Sequence, residues 1–247
     1  VSSSDSPDRP RIRSEDLQED QYSRPYHHLL VETGRGIPYI NLMKLLAGFI
    51  DPQPGEPILD AGCGDGRLLH EIAGSDASLF GVDRSLKALR YAAGFTPRAF
   101  LSLQNIQALA FENESFTKAT LIETLEHIPP TSVANVLSEL RRVLRSGGRL
   151  IVTVPTHRLP LPQKHYRHFS PDELRHILEE FYEVESLTGH DRDSSLYRLL
   201  VAIGDNRFWH LRAGFNRMLR FFYRKFLERT PPEKARRLIA VCVKKDA

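Results

Sequence analysis

The chain has 247 residues, 41% of them hydrophobic, a formal net charge of +3, and two cysteines, Cys63 and Cys242. That is enough apolar material for a sizeable core in one large domain or one domain with an elaboration. No apolar run of about eighteen residues exists, so no membrane-spanning helix is expected, and two cysteines exclude a disulfide framework. The stretch from Val1 to Asp5 lacks the basic-then-apolar pattern of a signal peptide. The expectation is a cytoplasmic protein, with a peripheral membrane location as an addition to it. Charge is unevenly spread: from Asp191 onward 14 Lys/Arg face 6 Asp/Glu, whereas the preceding part is net acidic. Such a concentration suits an anionic partner, or it is simply a solvated helix face.

Residues 1–20 are rich in Ser, Asp, Pro and Arg without apolar period and read as a disordered or loose arm. Tyr22, Pro25, Tyr26, His27 and His28 then cluster ahead of a helical pattern at Ile40, Leu42, Met43, Leu45, Leu46 and Phe49. The stretch Pro57-Ile-Leu-Asp-Ala-Gly-Cys-Gly-Asp-Gly-Arg67 reads as strand, tight turn and helix. Its glycines let the backbone approach a ligand, and the helix start beyond them offers free N–H groups. Gly62 and Gly64 fit a dinucleotide fingerprint, but Arg67 fills its third glycine slot, so NAD is disfavoured. A second strand, 77–83, ends in Asp83, placed to accept ribose hydroxyls.

Asp60 before the glycines, giving Asp-x-Gly-x-Gly, together with Asp83, resembles the opening motifs of the class I S-adenosylmethionine (SAM) dependent methyltransferases. The likeness continues through a third strand near Ala99, a fourth at 119–122, the turn from Ser146 to Arg149 and a fifth strand at 150–155, and covers roughly Pro57 to Glu185. It implies an α/β fold: a Rossmann-like seven-stranded sheet with the last strand antiparallel and a helical insertion before it. On that reading residues 21–247 are one domain, with strands at 181–187 and 237–244 and a basic aromatic insertion at 191–236. The resemblance also implies that SAM is the cofactor, held by Asp60, Gly62, Cys63, Gly64, Asp83, Arg84, Asn105, Ile106 and Glu123. Asn105 and Thr117 stand where the family usually has acids; an Asn carbonyl still accepts from an adenine amino group.

The fourth strand delivers Glu123-Thr-Leu-Glu-His127 to the carboxyl edge of the sheet, and His165 and His168 follow on the loop after the fifth strand. Ser170, Pro171 and Glu173 close that loop with a helix start. His127, His165 and His168 are candidate catalytic bases. The Glu-x-x-Glu-His element resembles ubiquinone-biosynthesis O-methyltransferases and small-RNA 3′-terminal 2′-O-methyltransferases. By the second resemblance, Glu123, Glu126, His127 and His165 would hold Mg²⁺, Mn²⁺ or Zn²⁺. Metal site, metal-free base and structural role remain open at this stage.

In the insertion, Phe208, Leu211, Phe215, Met218 or Leu219, Phe222 and Phe226 recur at three- and four-residue steps opposite a basic face that includes Arg207, Arg212, Arg217, Arg220 and Arg224. A helix at 207–237 would cap the site, lie on a membrane surface, contact a second copy or supply core. The expected reaction is O-methylation of a small-molecule, sugar or lipid-linked hydroxyl. RNA ribose methylation and a non-catalytic SAM-binding regulator are the alternatives, and nucleic acid is the weaker partner expectation.

Overall fold

The structure, a computed structural model, describes residues 22–29, 34–204 and 212–245. The expected loose arm at 1–20 and the positions Arg207, Phe208, Trp209 and Leu211 lie outside the described residues.

After a single helical turn, Tyr26–Leu29, the chain runs through α1 (Ile37–Ile50), β1 (Pro57–Ala61), α2 (Arg67–Ile72), β2 (Ser78–Asp83), α3 (Leu86–Phe95) and β3 (Phe100–Leu103). It continues with β4 (Phe116–Ile122), α4 (Val133–Val143), β5 (Leu144–Pro155), α5 (Pro171–Glu179) and β6 (Tyr182–Arg192). Two further helices, α6 (Ser195–Gly204) and α7 (Arg212–Phe226), precede β7 (Arg229–Thr230) and β8 (Ala235–Lys244).

The strands form one sheet in the order β3-β2-β1-β4-β5-β8-β6-β7. Pairings from β3 through β5 are parallel, whereas β8 is antiparallel to both β5 and β6. Central strands covered on both faces need apolar side chains on each, and the sequence supplies them by alternation. Ile58, Ile151 and Ile239 point into one core with Leu42, Met43 and Leu46 of α1. Their neighbours Leu59, Val152 and Leu238 point into the other, with Val136, Leu137 and Leu140 of α4. Strand order reverses between β1 and β4, the topological switch point where open α/β sheets bind ligands.

Four features depart from the sequence expectation. The sheet has eight strands rather than seven, because Gly189 and His190 of β6 also pair with the short β7. β5 starts at Leu144, with the expected glycine turn reduced to a register break between Phe116 and Lys118 of β4 and a left-handed Gly147 (φ +67°). The insertion holds two helices, α6 and α7, instead of one. β6 also runs on to Arg192, past the expected start of the insertion. The start of α5 is as expected: the Glu173 amide donates to Ser170 Oγ (3.2 Å) and the Ser170 amide to Glu173 Oε2 (2.6 Å), a reciprocal cap.

Tyr197, Val201, Leu219 and Tyr223 of the two helices pack with Ile37 in a third apolar cluster. Buried His190 lies beneath it; its Nε2–H donates to the Pro38 carbonyl (3.1 Å). Burial first, then the Arg237 charge, pushes this imidazole down to about 4. His190 is therefore neutral in the native state, whereas the unfolded chain binds a proton near pH 6.5, so stability present at neutral pH is lost as pH falls. Between about pH 6.5 and 4 the loss should reach about 3 kcal/mol. Urea unfolding at about pH 7 and about pH 5 checks this: His190→Gln, which keeps the donor to Pro38, should flatten the pH dependence, and an unchanged slope would assign it elsewhere.

Candidate active site

The glycine turn after β1 is fastened to the end of β2. The amides of Gly62 and Cys63 both donate to the Val82 carbonyl (2.8 and 3.0 Å), and the Gly64 amide donates to Asp83 Oδ2 (2.9 Å). Gly62 and Gly64 have φ of +78° and +54°, which L side chains rarely adopt. Space forbids side chains there as well: a Cβ on Gly62 would meet the Thr124 side chain at 2.7 Å, and one on Gly64 the Tyr22 hydroxyl at 2.6 Å.

The aromatic and histidine cluster ahead of α1 is thus seated on this turn. Asp65 accepts from the His27 amide (3.0 Å) and sits 2.9 Å from His27 Nδ1, and His28 Nε2 donates to the Asp65 carbonyl (3.1 Å). Burial opposes ionisation of Asp65, but the His27 hydrogen bonds outweigh it and hold the carboxyl below its ordinary value.

A cavity of about 1000 Å³ opens over the carboxyl edges of β1, β2 and β4. All of the residues expected at the cofactor line it: Asp60, Gly62, Cys63, Gly64, Asp83, Arg84, Asn105, Ile106 and Glu123. Asp83 Oδ1 accepts from the Ser85 amide (2.8 Å), leaving further lone pairs on both oxygens, and burial raises its pKa. Asn105 Oδ1 accepts from the Gln107 amide (3.0 Å), so its carbonyl shares any further donor with the backbone. Asp60 accepts from the Thr120 hydroxyl (2.7 Å), and burial pushes it up to about 7. These residues fit SAM, whose positive charge a buried carboxylate at this edge would balance.

Across the same cavity, the turn after β4 carries Glu126 and His127, and the loop after β5 brings in His165. Ligand atoms of these three side chains lie within 4.8 Å of one another. His127 Nδ1–H donates to the Lys164 carbonyl (3.1 Å), which fixes the tautomer and leaves Nε2 as an acceptor. Burial and Lys164 push His127 down to about 4, and burial with His127 and Lys164 pushes His165 down to about 3, so both are neutral imidazoles. Glu126 is buried, its Oε2 has no hydrogen-bond partner, and burial beside Glu123 raises its pKa well above the carboxylate range.

Two expected residues stand apart from this group. His168 is buried behind His165, its Nε2 2.9 Å from His165 Nδ1, outside the cavity lining. Its ring therefore rests against His165 and not against the cavity. Glu123 lines the cavity, but its carboxylate is engaged: Arg237 Nε donates to Oε2 (2.9 Å) and the Thr153 hydroxyl to Oε1 (3.2 Å). Arg237 also reaches Asp191 (3.2 Å), which accepts from the Tyr223 hydroxyl (3.2 Å). Sequence reasoning missed Arg237; the signal was a charge opening an otherwise apolar strand. It also missed Lys164 and the Asp65–His27 pair, which have no local signature.

Residues 58–148 match a family model described as a methyltransferase domain. A ubiquinone biosynthesis O-methyltransferase from Paracidovorax citrulli is 36% identical over 124 residues, 46% of this chain and 50% of that protein. The chain thus spans about half the length of this curated relative. Among solved structures, the N-methyltransferase NodS from Bradyrhizobium japonicum, in complex with S-adenosyl-L-homocysteine, superposes with a TM-score of 0.67 at 13% identity, over 95% of this chain and 100% of that one. The [4+2]-cyclase SpnF superposes with a TM-score of 0.60 at 20% identity, over 84% of this chain and 81% of that one. Matched segment, sheet order and glycine turn agree with one another: residues 58–148 are similar to a methyltransferase domain, and the sheet has the Rossmann-like α/β fold of the methyltransferase NodS. The family model falls on the segment that builds the cofactor half of the cavity, β1 through the start of β5.

Two outcomes follow. SAM affinity measured by calorimetry should tighten as pH rises through about 7, up to about tenfold per pH unit below that point, because the cation favours ionised Asp60. Asp60→Asn should abolish the slope, and a slope that survives would assign the proton to another group. Arg237→Met, which leaves Glu123 and Asp191 without this cation, should cost about 3–5 kcal/mol in urea unfolding, and a loss below about 1 kcal/mol would show the network dispensable.

Proposed function

We propose that this protein transfers the methyl group of SAM to a hydroxyl of a small-molecule, sugar or lipid-linked acceptor. The observation that carries the reading is the placement of Glu126, His127 and His165 across one cavity from Asp60 and Asp83. When bound, SAM supplies an electrophilic methyl carbon already activated by the sulfonium charge. The protein's share is alignment of the acceptor and removal of its proton. A neutral His127 with Nε2 as acceptor suits that second task, and the Lys164 carbonyl holds the ring in the required tautomer. Its low basicity matches an acidic hydroxyl, such as a phenol or enol, better than a simple alcohol, since proton transfer works best between groups of similar pKa. The curated relative named as an O-methyltransferase supports the same choice.

One observation favours a second reading, in which a divalent cation assists. Glu126, His127 and His165 offer a carboxylate and two neutral imidazoles, a donor set that Mg²⁺, Mn²⁺ or Zn²⁺ accepts. Glu126 Oε2 is buried without a partner, and the His127 hydrogen bond to a carbonyl is the kind of support that metal-ligating histidines have. When bound there, such a cation would polarise an acceptor oxygen and lower its pKa. Glu123, committed to Arg237, is left out of this ligand set.

The test uses labelled SAM, chelator-treated protein and a panel of phenolic, catechol and sugar hydroxyl acceptors. His127→Ala should lower turnover at least about 100-fold while changing SAM affinity little, whereas Asp83→Ala should chiefly weaken SAM binding. Equal loss of SAM affinity in both would refute the division of roles. Restoration of turnover by a divalent cation, lost again in Glu126→Gln, would select the metal-assisted reading; indifference to chelator and cation would select His127 as base.

A further inference from the structure

We propose that the outer faces of α6 and α7 form a docking surface for an anionic lipid bilayer. The inner faces of the two helices are used up in the cluster of Tyr197, Val201, Leu219 and Tyr223, yet large apolar side chains also remain on their outer sides. Leu196, Leu199 and Ile203 of α6 recur at three- and four-residue steps on one helix face, and Met218 and Phe221 of α7 follow the same spacing. Together with Phe226 they are exposed to between 49% (Met218) and 65% (Phe221). Six of the fourteen large apolar side chains exposed among the described residues thus fall on these two neighbouring helices, a concentration that marks an interaction surface.

Charge identifies the occupant. Between Arg212 and Phe226 there are five cations and no acid, and Arg217, Arg224 and Lys225 are exposed. Lys225 Nζ lies over the rings of Phe221 (5.8 Å) and Phe226 (5.4 Å), so aromatic surface and positive charge are presented together. Apolar side chains that enter the acyl boundary beside cations that meet lipid phosphates describe an interfacial helix. No described helix is long and apolar enough to cross a membrane, so the contact is peripheral. A second copy meets this face poorly, because a two-fold contact would bring the cations together. RNA would use the cations but leave Leu196, Leu199 and Ile203 without a partner.

The surface adjoins the active site, since Gly204 of α6 and Asn216 of α7 line the same cavity as Glu126 and His127. Resting on the proposed methyl transfer, this makes a membrane-held acceptor the substrate class the site serves. The docking itself stands independently of that reading.

Co-sedimentation of the full chain with vesicles of phosphatidylcholine, alone or mixed with phosphatidylglycerol, tests it. Binding is expected to the mixed vesicles only, weakened by salt. Arg217→Gln with Arg224→Gln should weaken it about fivefold per cation removed. Leu199→Glu with Phe221→Glu should abolish it. Both double variants should keep wild-type SAM affinity by calorimetry, which certifies the fold. Absence of binding to the mixed vesicles would overturn the proposal. So would binding indifferent to both variants, displacement of the vesicles by a single-stranded RNA oligonucleotide, or a stable dimer in light scattering that Leu199→Glu with Phe221→Glu dissolves. Vesicle binding without SAM binding would instead overturn the methyl-transfer reading and leave the docking surface standing.

Discussion

An ion-pair network at the start of β8 ties the cavity edge to the insertion, and Arg236 reaches Asp191 there too (3.6 Å). Arg237, at the start of the strand that completes the sheet, holds Glu123 at the edge of the cavity and Asp191 at the root of the insertion. Both carboxylates belong to non-glycine residues in left-handed conformations, with φ of +47° and +64°, which carry a steric cost. Charge pairing in a largely buried setting offsets that cost and keeps the chain turned where strand gives way to site. Through Asp191 the constraint reaches Tyr223 and thus α7. Sheet, cavity edge and insertion therefore share one ion-pair network.

What could be read from the sequence follows the range of the interactions involved. The glycine turn, Asp60 and Asp83 were legible because a tight turn between strand and helix demands particular residues at adjacent positions. The same holds for the start of α5, where Ser170 and Glu173 are three residues apart. Arg237 and Glu123 are 114 residues apart, and no local pattern marks such a pair. The Glu123-x-x-Glu126-His127 element was visible, but the division within it was not. Whether a carboxylate faces a ligand or an arginine depends on what the sheet brings beside it. The helix α6 was not anticipated because the amphipathic stripe read from the sequence begins at Phe208, beyond the end of α6 at Gly204.

The cavity joins two unlike electrostatic environments. On one side Asp60 and Asp83 keep carboxyl groups ready to balance a positive ligand, and on the other burial strips protons from His127 and His165. That contrast, rather than the fold, argues for a particular reaction. A [4+2]-cyclase shares the architecture, so the sheet alone is compatible with more than one chemistry. In this chain the features that bear on the chemistry are the trio of Glu126, His127 and His165 and the helix pair α6 and α7 beside it.

The position of β8 between β5 and β6 has a consequence for biosynthesis. β6, α6 and α7 all leave the ribosome before the strand that links them to the rest of the sheet. Until β8 is made, one long edge of β5 and one of β6 present unpaired amides and carbonyls, with Val152, Val154 and Tyr182 lacking their cover. Such edges are templates for wrong pairing. The nascent chain is thus vulnerable until β8 is made, when that strand enters the gap and brings Arg237 to both of its carboxylates.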